Sequence, residues 1–373
     1  MAGIYIHIPF CTRKCAYCDF VSVRPDGLKS PYLDALVREI RLRSEMFAGS
    51  LIHTIYFGGG TPSLLEPSEL EYIADALVRN YRLSSDIEWT IECNPGTIDA
   101  GALRAYRDIG FNRLSIGVQS FFDEDLVFLT RMHDGREALE AIEAASTAGF
   151  KNIGIDLMFR IPGQPLERWQ ANLERAVSLR LPHISCYSLT TESRTPLVQW
   201  IESGEVMLPS EEEDAHLYTL AYRFLTGRGY QRYEISNFAQ PGFECRHNIS
   251  YWDHEPYGGF GPSAHSYFEG SRSWNTTDVS EYIRLLAAGT LPSQGSETLS
   301  SAALRTEHIF LSLRTRGIDL DAFQKKFDGD FLEENASTIE RLMHAGFIEI
   351  SERFVRLTLR GMLLCDEICS ELR

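Results

Sequence analysis

The sequence predicts an α/β fold: a mainly parallel sheet with helices between its strands, followed by a smaller module of helices and a hairpin. Three observations lead there. Short β-branched runs alternate with longer segments of helical spacing throughout the first half. Glycines stand where the helices stop. From about residue 300 the pattern becomes mainly helical and ends in two short strand-like runs.

The elements follow in order. Residues 4–8 (IYIHI) read as a buried strand, and 31–47 carry Leu33, Leu36, Val37, Ile40 and Phe47 at near-helical spacing. A strand at 53–57 runs into Gly58-Gly59-Gly60-Thr61-Pro62, and a helix at 67–80 begins on Pro67. A strand at 87–92 precedes a helix at 99–109 that stops at Gly110. The strand at 113–118 leads to helices within 123–131 and 136–148, closed by Gly149. A strand at 152–159, a helix at 165–180 and a strand at 183–189 complete the series. Six strands joined by helices imply right-handed crossovers and parallel pairing. They are too few for an eight-stranded barrel, so a partial, open barrel or a doubly wound sheet fits the pattern. In either, a ligand site belongs at the carboxyl ends of the strands.

The expected domains are 1–225, the βα-alternating core; 226–298, an aromatic and Gly-rich extension; and 299–373, a winged-helix-like α+β module. The stretch 234–275 is too aromatic for a plain linker, which argues for an ordered, packed segment. Helices are expected at 303–313, 319–327, 331–345 and 358–371, with strands at 347–350 and 354–357.

The 373 residues carry 36 Lys and Arg against 52 Asp and Glu, a formal charge of −16. No cationic footprint for nucleic acid is present, and none is expected as a partner. No apolar run approaches the ~18 residues of a membrane span. The start, Met1-Ala2-Gly3 leading straight into Ile4, has no basic or cleavable leader, so a cytoplasmic location is expected. Peripheral contact with a membrane surface stays open.

Cys11, Cys15 and Cys18 fall within eight residues, whereas Cys93, Cys186, Cys245, Cys365 and Cys369 are scattered. In a chain with no export signal such a cluster suggests metal or redox chemistry. Three thiolates suit an iron–sulfur cubane with one open iron position. A zinc site with a distant fourth ligand, or three unrelated thiols, are the plainer readings. Cys365 and Cys369, at i,i+4, read as small apolar core positions rather than a metal pair.

The segment Tyr5-Ile-His-Ile-Pro-Phe-Cys11-Thr-Arg-Lys-Cys15-Ala-Tyr17-Cys18 resembles the signature of the radical SAM superfamily, in its oxygen-independent coproporphyrinogen oxidase-like branch. Gly58–Pro62, Glu92-Cys-Asn-Pro95, Gly117-Val-Gln119-Ser, Asp156-Leu-Met and Pro162-Gly-Gln164 fall where that family's motifs fall, and the resemblance continues through the C-terminal module. It implies a partial (β/α)6 radical SAM barrel and a 4Fe–4S cluster on Cys11, Cys15 and Cys18. It also implies S-adenosylmethionine (SAM) bound among Tyr5, Tyr17, Gly59, Gly60, Thr61, Glu92, Gln119, Arg131 and Asp156. Residue chemistry agrees in part: Gly58–Gly60 let backbone approach closely, and a carboxylate such as Glu92 on a buried strand needs a partner. Without the resemblance, Arg131 would read as a solvated helix residue and Asp156 as a structural hydrogen bonder. One departure is Phe159-Arg160-Ile161-Pro162, where relatives have Tyr-Gly-Leu-Pro.

Two further features separate the branches. The oxidases have a fourth cysteine two residues beyond the third and an N-terminal extension. Here Phe20 takes that position, and only ten residues precede Cys11. His247-Asn248-Ile-Ser-Tyr251-Trp252 matches the HNxxYW motif of HemW-type haem chaperones. The resemblance therefore implies a haem carrier, with His247 the leading candidate ligand and His254, His265 and Cys245 as alternatives. Expected partners are haem, haem-accepting proteins (respiratory ones among them) and an electron donor. Coproporphyrinogen decarboxylation is not expected; a catalytic radical SAM enzyme acting on a tetrapyrrole is the alternative.

Overall fold

A computed structural model describes residues 2–373. Six strands run parallel: β1 (Ala2–Ile8), β2 (Leu51–Gly59), β3 (Arg82–Cys93), β4 (Arg113–Gln119), β5 (Asn152–Phe159) and β6 (His183–Ser188). The helices between them are α1 (Lys29–Leu42), α2 (Pro67–Asn80), α3 (Ala100–Ile109), α4 (Asp123–Phe128), α5 (Gly135–Thr147) and α6 (Leu166–Ser178). Local chemistry sets their ends. Pro67 opens α2 beside a Glu66–Glu69 capping box, and Asp99 caps α3 by accepting from the amide of Ala102. Gly110 ends α3 at φ 123°, a conformation open only to glycine at low cost.

The expected buried strands are two-faced. Ile4, Ile6, Ile55, Phe57, Ile91, Ile155, Leu157 and Ile184 point outward and are buried under the helices. The alternate residues point into the partial barrel, and many are polar: Tyr5, Thr54, Tyr56, Glu88, Glu92, Arg113, Ser115, Asp156 and Ser185. Tyr187, from the middle of the fold, keeps 38% of its surface exposed, so the barrel is hollow.

The extension does not stand apart from this sheet. After α7 (Pro196–Glu202) and α8 (Glu211–Thr226), β7 (Gln231–Arg232) and β8 (Asn237–Ala239) add to the β6 edge, antiparallel. The chain then crosses through α9 (Arg246–Trp252) to the opposite edge. There β9 (Tyr257–Phe260) pairs parallel to β1, and β10 (His265–Phe268), β11 (Ser271–Asn275) and, after α10 (Val279–Ala287), β12 (Ser293–Thr298) follow antiparallel. The result is one sheet of twelve strands among the described residues. Periodicity misses it because these strands are short, two to six residues, and their order is non-local.

The C-terminal module holds α11 (Ser301–Leu313), β13 (Ile318–Asp319), α12 (Leu320–Phe327), α13 (Phe331–Glu334), α14 (Ala336–His344), β14 (Ile348–Ser351), β15 (Phe354–Leu357), α15 (Leu359–Met362) and α16 (Cys365–Glu371). The expected last helix is thus two short ones, broken at Leu363–Leu364. Cys365 and Cys369 lie with Ile309, Leu313 and Phe323 in the module's own core. No helix among the described residues is long and apolar enough to cross a membrane.

A buried charge fastens the β9–β11 edge to α1. Glu39 is fully buried and sits 3.0 Å from the guanidinium of Arg43. It also accepts from Gly261 N (2.9 Å), Asn275 Nδ2 (2.8 Å) and Tyr282 OH (2.7 Å). Burial pushes its pKa up while Arg43 and these donors pull it back. Removing one partner of such a group strands the other charge. Glu39→Ala should therefore cost about 3–5 kcal/mol in urea unfolding. A loss below about 1 kcal/mol, the range of an exposed pair, would show that this network does not hold the extension in place.

Candidate cofactor site

The cysteine loop leaves the carboxyl end of β1 and is folded back on it. Val23 N donates to Pro9 O (2.7 Å), Cys11 N to Val23 O (3.0 Å), and the His7 ring meets Val21 O at 2.8 Å. Cys11, Cys15 and Cys18 are free and partly exposed, whereas the other five cysteines are buried. Thr61 Oγ1 lies 3.5 Å from Cys11 Sγ, and Arg131 Nη1 lies 3.7 Å from Cys15 Sγ. Among the described residues no three His, Cys, Asp or Glu side chains converge in metal-binding geometry. The donor set still fits an iron–sulfur cluster: three accessible soft thiols on one loop, with a cation beside them to offset thiolate charge.

The glycine run serves this loop. A Cβ on Gly60 would stand 2.7 Å from Phe10 O and 2.9 Å from Ile8 O, and one on Gly59 would meet the His7 ring at 2.6 Å. Close approach is required, as expected, but the backbone that approaches is that of the chain's own cysteine loop.

Inside the barrel, Glu92 on β3 accepts from Tyr56 OH (2.8 Å) and Gly59 N (3.2 Å). Desolvation, aided by neighbouring Asp156, pushes its pKa up to about 7 against those two donors. Asp156 is held by Ser115 Oγ at 3.2 Å, and its pKa too is raised by burial. Arg131 is not the solvated residue that its helical setting suggested. It donates to Asn94 Oδ1 (2.6 Å) and Gly117 O (2.7 Å), and its Nε is a buried donor with no partner. Gln119, at φ 64°, leaves its Oε1 buried and unpartnered. Unsatisfied polar atoms beside a hollow interior are what a polar ligand would complete. The structure thus gathers Gly59, Gly60, Thr61, Glu92, Gln119, Arg131 and Asp156 at the carboxyl ends of β2–β5, with Tyr5 and Tyr17 on the cysteine side. Sequence reasoning missed Tyr56, Asn94 and Tyr187; the inward register of Tyr56 and Tyr187 was the available signal.

The His247 segment lies deeper, at the opposite end of the strands. It forms α9, capped by Glu88 of β3, whose carboxylate accepts from Arg246 N (3.1 Å) and His247 N (3.0 Å). The His247 ring is buried and stacks on Tyr56, with centroids 5.1 Å apart. Its Nδ1 is 2.8 Å from Thr54 Oγ1 and its Nε2 is 2.8 Å from Tyr251 OH. Burial pulls its pKa down to about 3, so the ring is neutral and both nitrogens are engaged. In this conformation both nitrogens of His247, the expected axial haem ligand, are hydrogen-bonded to protein hydroxyls. Asn248 and Trp252 are partly exposed.

Residues 5–176 match the radical SAM superfamily profile and 299–364 match the HemN C-terminal domain. A Bacillus subtilis (strain 168) protein named heme chaperone HemW is 36% identical over 99% of this chain and 98% of its own length. The chain belongs to the HemW family of the radical SAM superfamily. The Lactococcus lactis member is 35% identical over 98% of this chain and 95% of its own length. Escherichia coli HemN, a coproporphyrinogen III oxidase described as a radical SAM enzyme, superposes with a TM-score of 0.85 at 25% identity. That superposition covers 99% of this chain and 89% of that one. The partial-barrel class is therefore correct.

The Arg160 departure is accommodated locally. Arg160 takes φ 62°, a left-handed conformation that costs a side-chain-bearing residue roughly 1–2 kcal/mol. Its Nε donates to Pro209 O at 3.2 Å, and its Nη1 lies 3.5 Å from Asp214, so the side chain clasps the first turn of α8 and the segment before it.

Glu92 makes a pH-dependent prediction. Its folded pKa, about 7, lies above the ordinary 4.5, so the folded chain holds the proton more tightly. Stability contributed this way is present at low pH and declines as pH rises through about 7. Glu92→Gln removes the titration. Its stability relative to wild type should be greater at pH 8 than at pH 5, by up to about 3 kcal/mol in denaturant melts. Equal differences at the two pH values would show an ordinary carboxylate.

Proposed function

We propose that this chain is a haem chaperone, binding haem and passing it to acceptor proteins, with a SAM-binding 4Fe–4S cluster on Cys11, Cys15 and Cys18. The observation that carries this reading is end-to-end similarity to a protein named heme chaperone HemW, at 36% identity; the fold alone is shared with an oxidase. Phe20, where the oxidases have a fourth cysteine, supports the same branch.

In this proposal the three thiols hold the cluster and Arg131 offsets their charge. Gly59, Gly60, Thr61, Gln119 and Arg131 receive the polar groups of SAM, and Glu92 and Asp156 accept its hydroxyls, with Tyr5 and Tyr17 walling the site. When bound, the reduced cluster supplies the electron that splits SAM. The partners are haem, acceptor proteins and an electron donor, in the cytoplasm. Within the HNxxYW segment, His247 holds the helix in the barrel, and Tyr251, which lines a cavity with Tyr5 and Tyr257, serves haem.

Anaerobic reconstitution tests the cluster. Alanine at Cys11, Cys15 or Cys18 should abolish stoichiometric iron and sulfide, and alanine at Cys93, Cys186 or Cys245 should not. Full loading of Cys15→Ala, or zinc in place of iron, would overturn the assignment. The loaded protein should bind one haem per chain and pass it to an apo-acceptor. It should leave coproporphyrinogen III unchanged with SAM and reductant; vinyl-group formation would make it an oxidase instead.

A further inference from the structure

We infer that haem binds in the cavity between the cysteine loop and the β9–β11 edge, with His265 as its protein ligand. This inference rests on the haem-carrier reading and locates its site. The cavity, about 450 Å³, is walled by Tyr5, Tyr251, Tyr257 and Tyr267, with Phe20 and Leu311 at its borders. Such a wall suits a flat, largely apolar macrocycle. Tyr5 and Phe20 also border the cysteine loop, and Tyr251 belongs to the HNxxYW segment.

Three histidines compete for the iron. His247 is excluded by its two engaged nitrogens. His254 puts Nε2 3.0 Å from Glu307 and stacks on Tyr267 at 4.3 Å; its Nδ1 has no partner but is buried away from solvent. His265 differs from both. It lies directly across the β10–β11 pair from Trp274 and stacks on that ring at 5.8 Å. Its nitrogens meet no protein partner among the described residues, and the residue is exposed to the cavity. Partial burial and nearby Arg272 lower its pKa, so the imidazole is neutral and its lone pair is available at pH 7.

Phe20 is 62% exposed. It stands at the cavity's edge, where it would close over one face of a bound macrocycle. A second cavity, about 580 Å³, lies between Trp252 and α11, but no side chain lining it is a common haem ligand.

The test is a haemin titration of the full-length, cluster-loaded protein. The wild type should give a saturable Soret band at one haem per chain. His265→Ala should bind about tenfold more weakly with a shifted band, restored by added imidazole. Phe20→Ala should weaken binding with the band in place, and His254→Ala should leave the band in place. Equal iron and sulfide content across the variants shows that each is folded. A wild-type titration matched by His265→Ala, or a band shift seen only in His254→Ala, overturns this site and leaves the haem-carrier reading standing. Absence of saturable binding by the wild type overturns both.

Discussion

The imidazole of His247 ties the floor of the barrel together. A hollow sheet of parallel strands exposes backbone and polar side chains at its amino-terminal end, and something must close it. Here α9 does so. Glu88 fixes its start, Thr54 and Tyr251 hold the two ring nitrogens, and Tyr56 and Tyr5 stack beside the ring. The fit is tight enough that strand β1 must open with glycine beside it. A Cβ on Gly3 would stand 2.8 Å from Thr54 Oγ1 and 3.3 Å from His247 Nδ1. A neutral ring with both nitrogens hydrogen-bonded satisfies its polar atoms in a low-dielectric setting without the desolvation cost of a charge. The HNxxYW pattern is thus, in this fold, first a structural device.

That floor also reaches the upper site. Tyr56 packs on His247 with its ring and donates to Glu92 with its hydroxyl, and Glu92 in turn accepts from Gly59 at the glycine run. Three layers of the barrel are therefore joined through one tyrosine. A ligand that drew the Glu92 carboxylate toward itself would free the Tyr56 hydroxyl, and the cost would fall on the α9 contact. The raised pKa of Glu92 has the same origin, since the carboxylate lies in a desolvated interior with two donors and no cation bonded to it.

The six core strands and their helices were legible because each carries its own signal: apolar outward residues, a cap or proline at the start, a glycine at the stop. The cysteine loop was legible because its spacing is local. The inner face was half-legible. Glu92 and Asp156 drew attention as carboxylates on apolar strands, but Tyr56 and Tyr187 look like ordinary strand residues until the register points them inward. The edge strands were hidden for a different reason. β9 is Tyr-Gly-Gly-Phe, and its partner β1 lies about 250 residues away in sequence, so pairing and not propensity makes it a strand. For His247 the sequence shows a group that could ligate iron, but not that both its ring nitrogens are hydrogen-bonded in the fold.

The same topology bears on release. The Tyr5, Tyr56 and His247 stack fills the floor of the six-stranded core. The proposed site lies on the added edge instead, against α11 of the C-terminal module. Polar contacts join that module to the edge: Arg272 and His254 to Glu307, and Arg316 to Asp253 at 2.8 Å. Arg316 is mostly exposed, and exposed pairs contribute at most about 1 kcal/mol each. The module has its own core, around Phe323 and Leu342, while Leu359 and Met362 pack against the barrel's. The cavity is thus bounded on one side by α11 of a module with its own core, joined to the edge there by ion pairs to Glu307. For a carrier, which must give up its ligand, an imidazole on an edge strand beneath such a boundary is better placed than one in the barrel's floor.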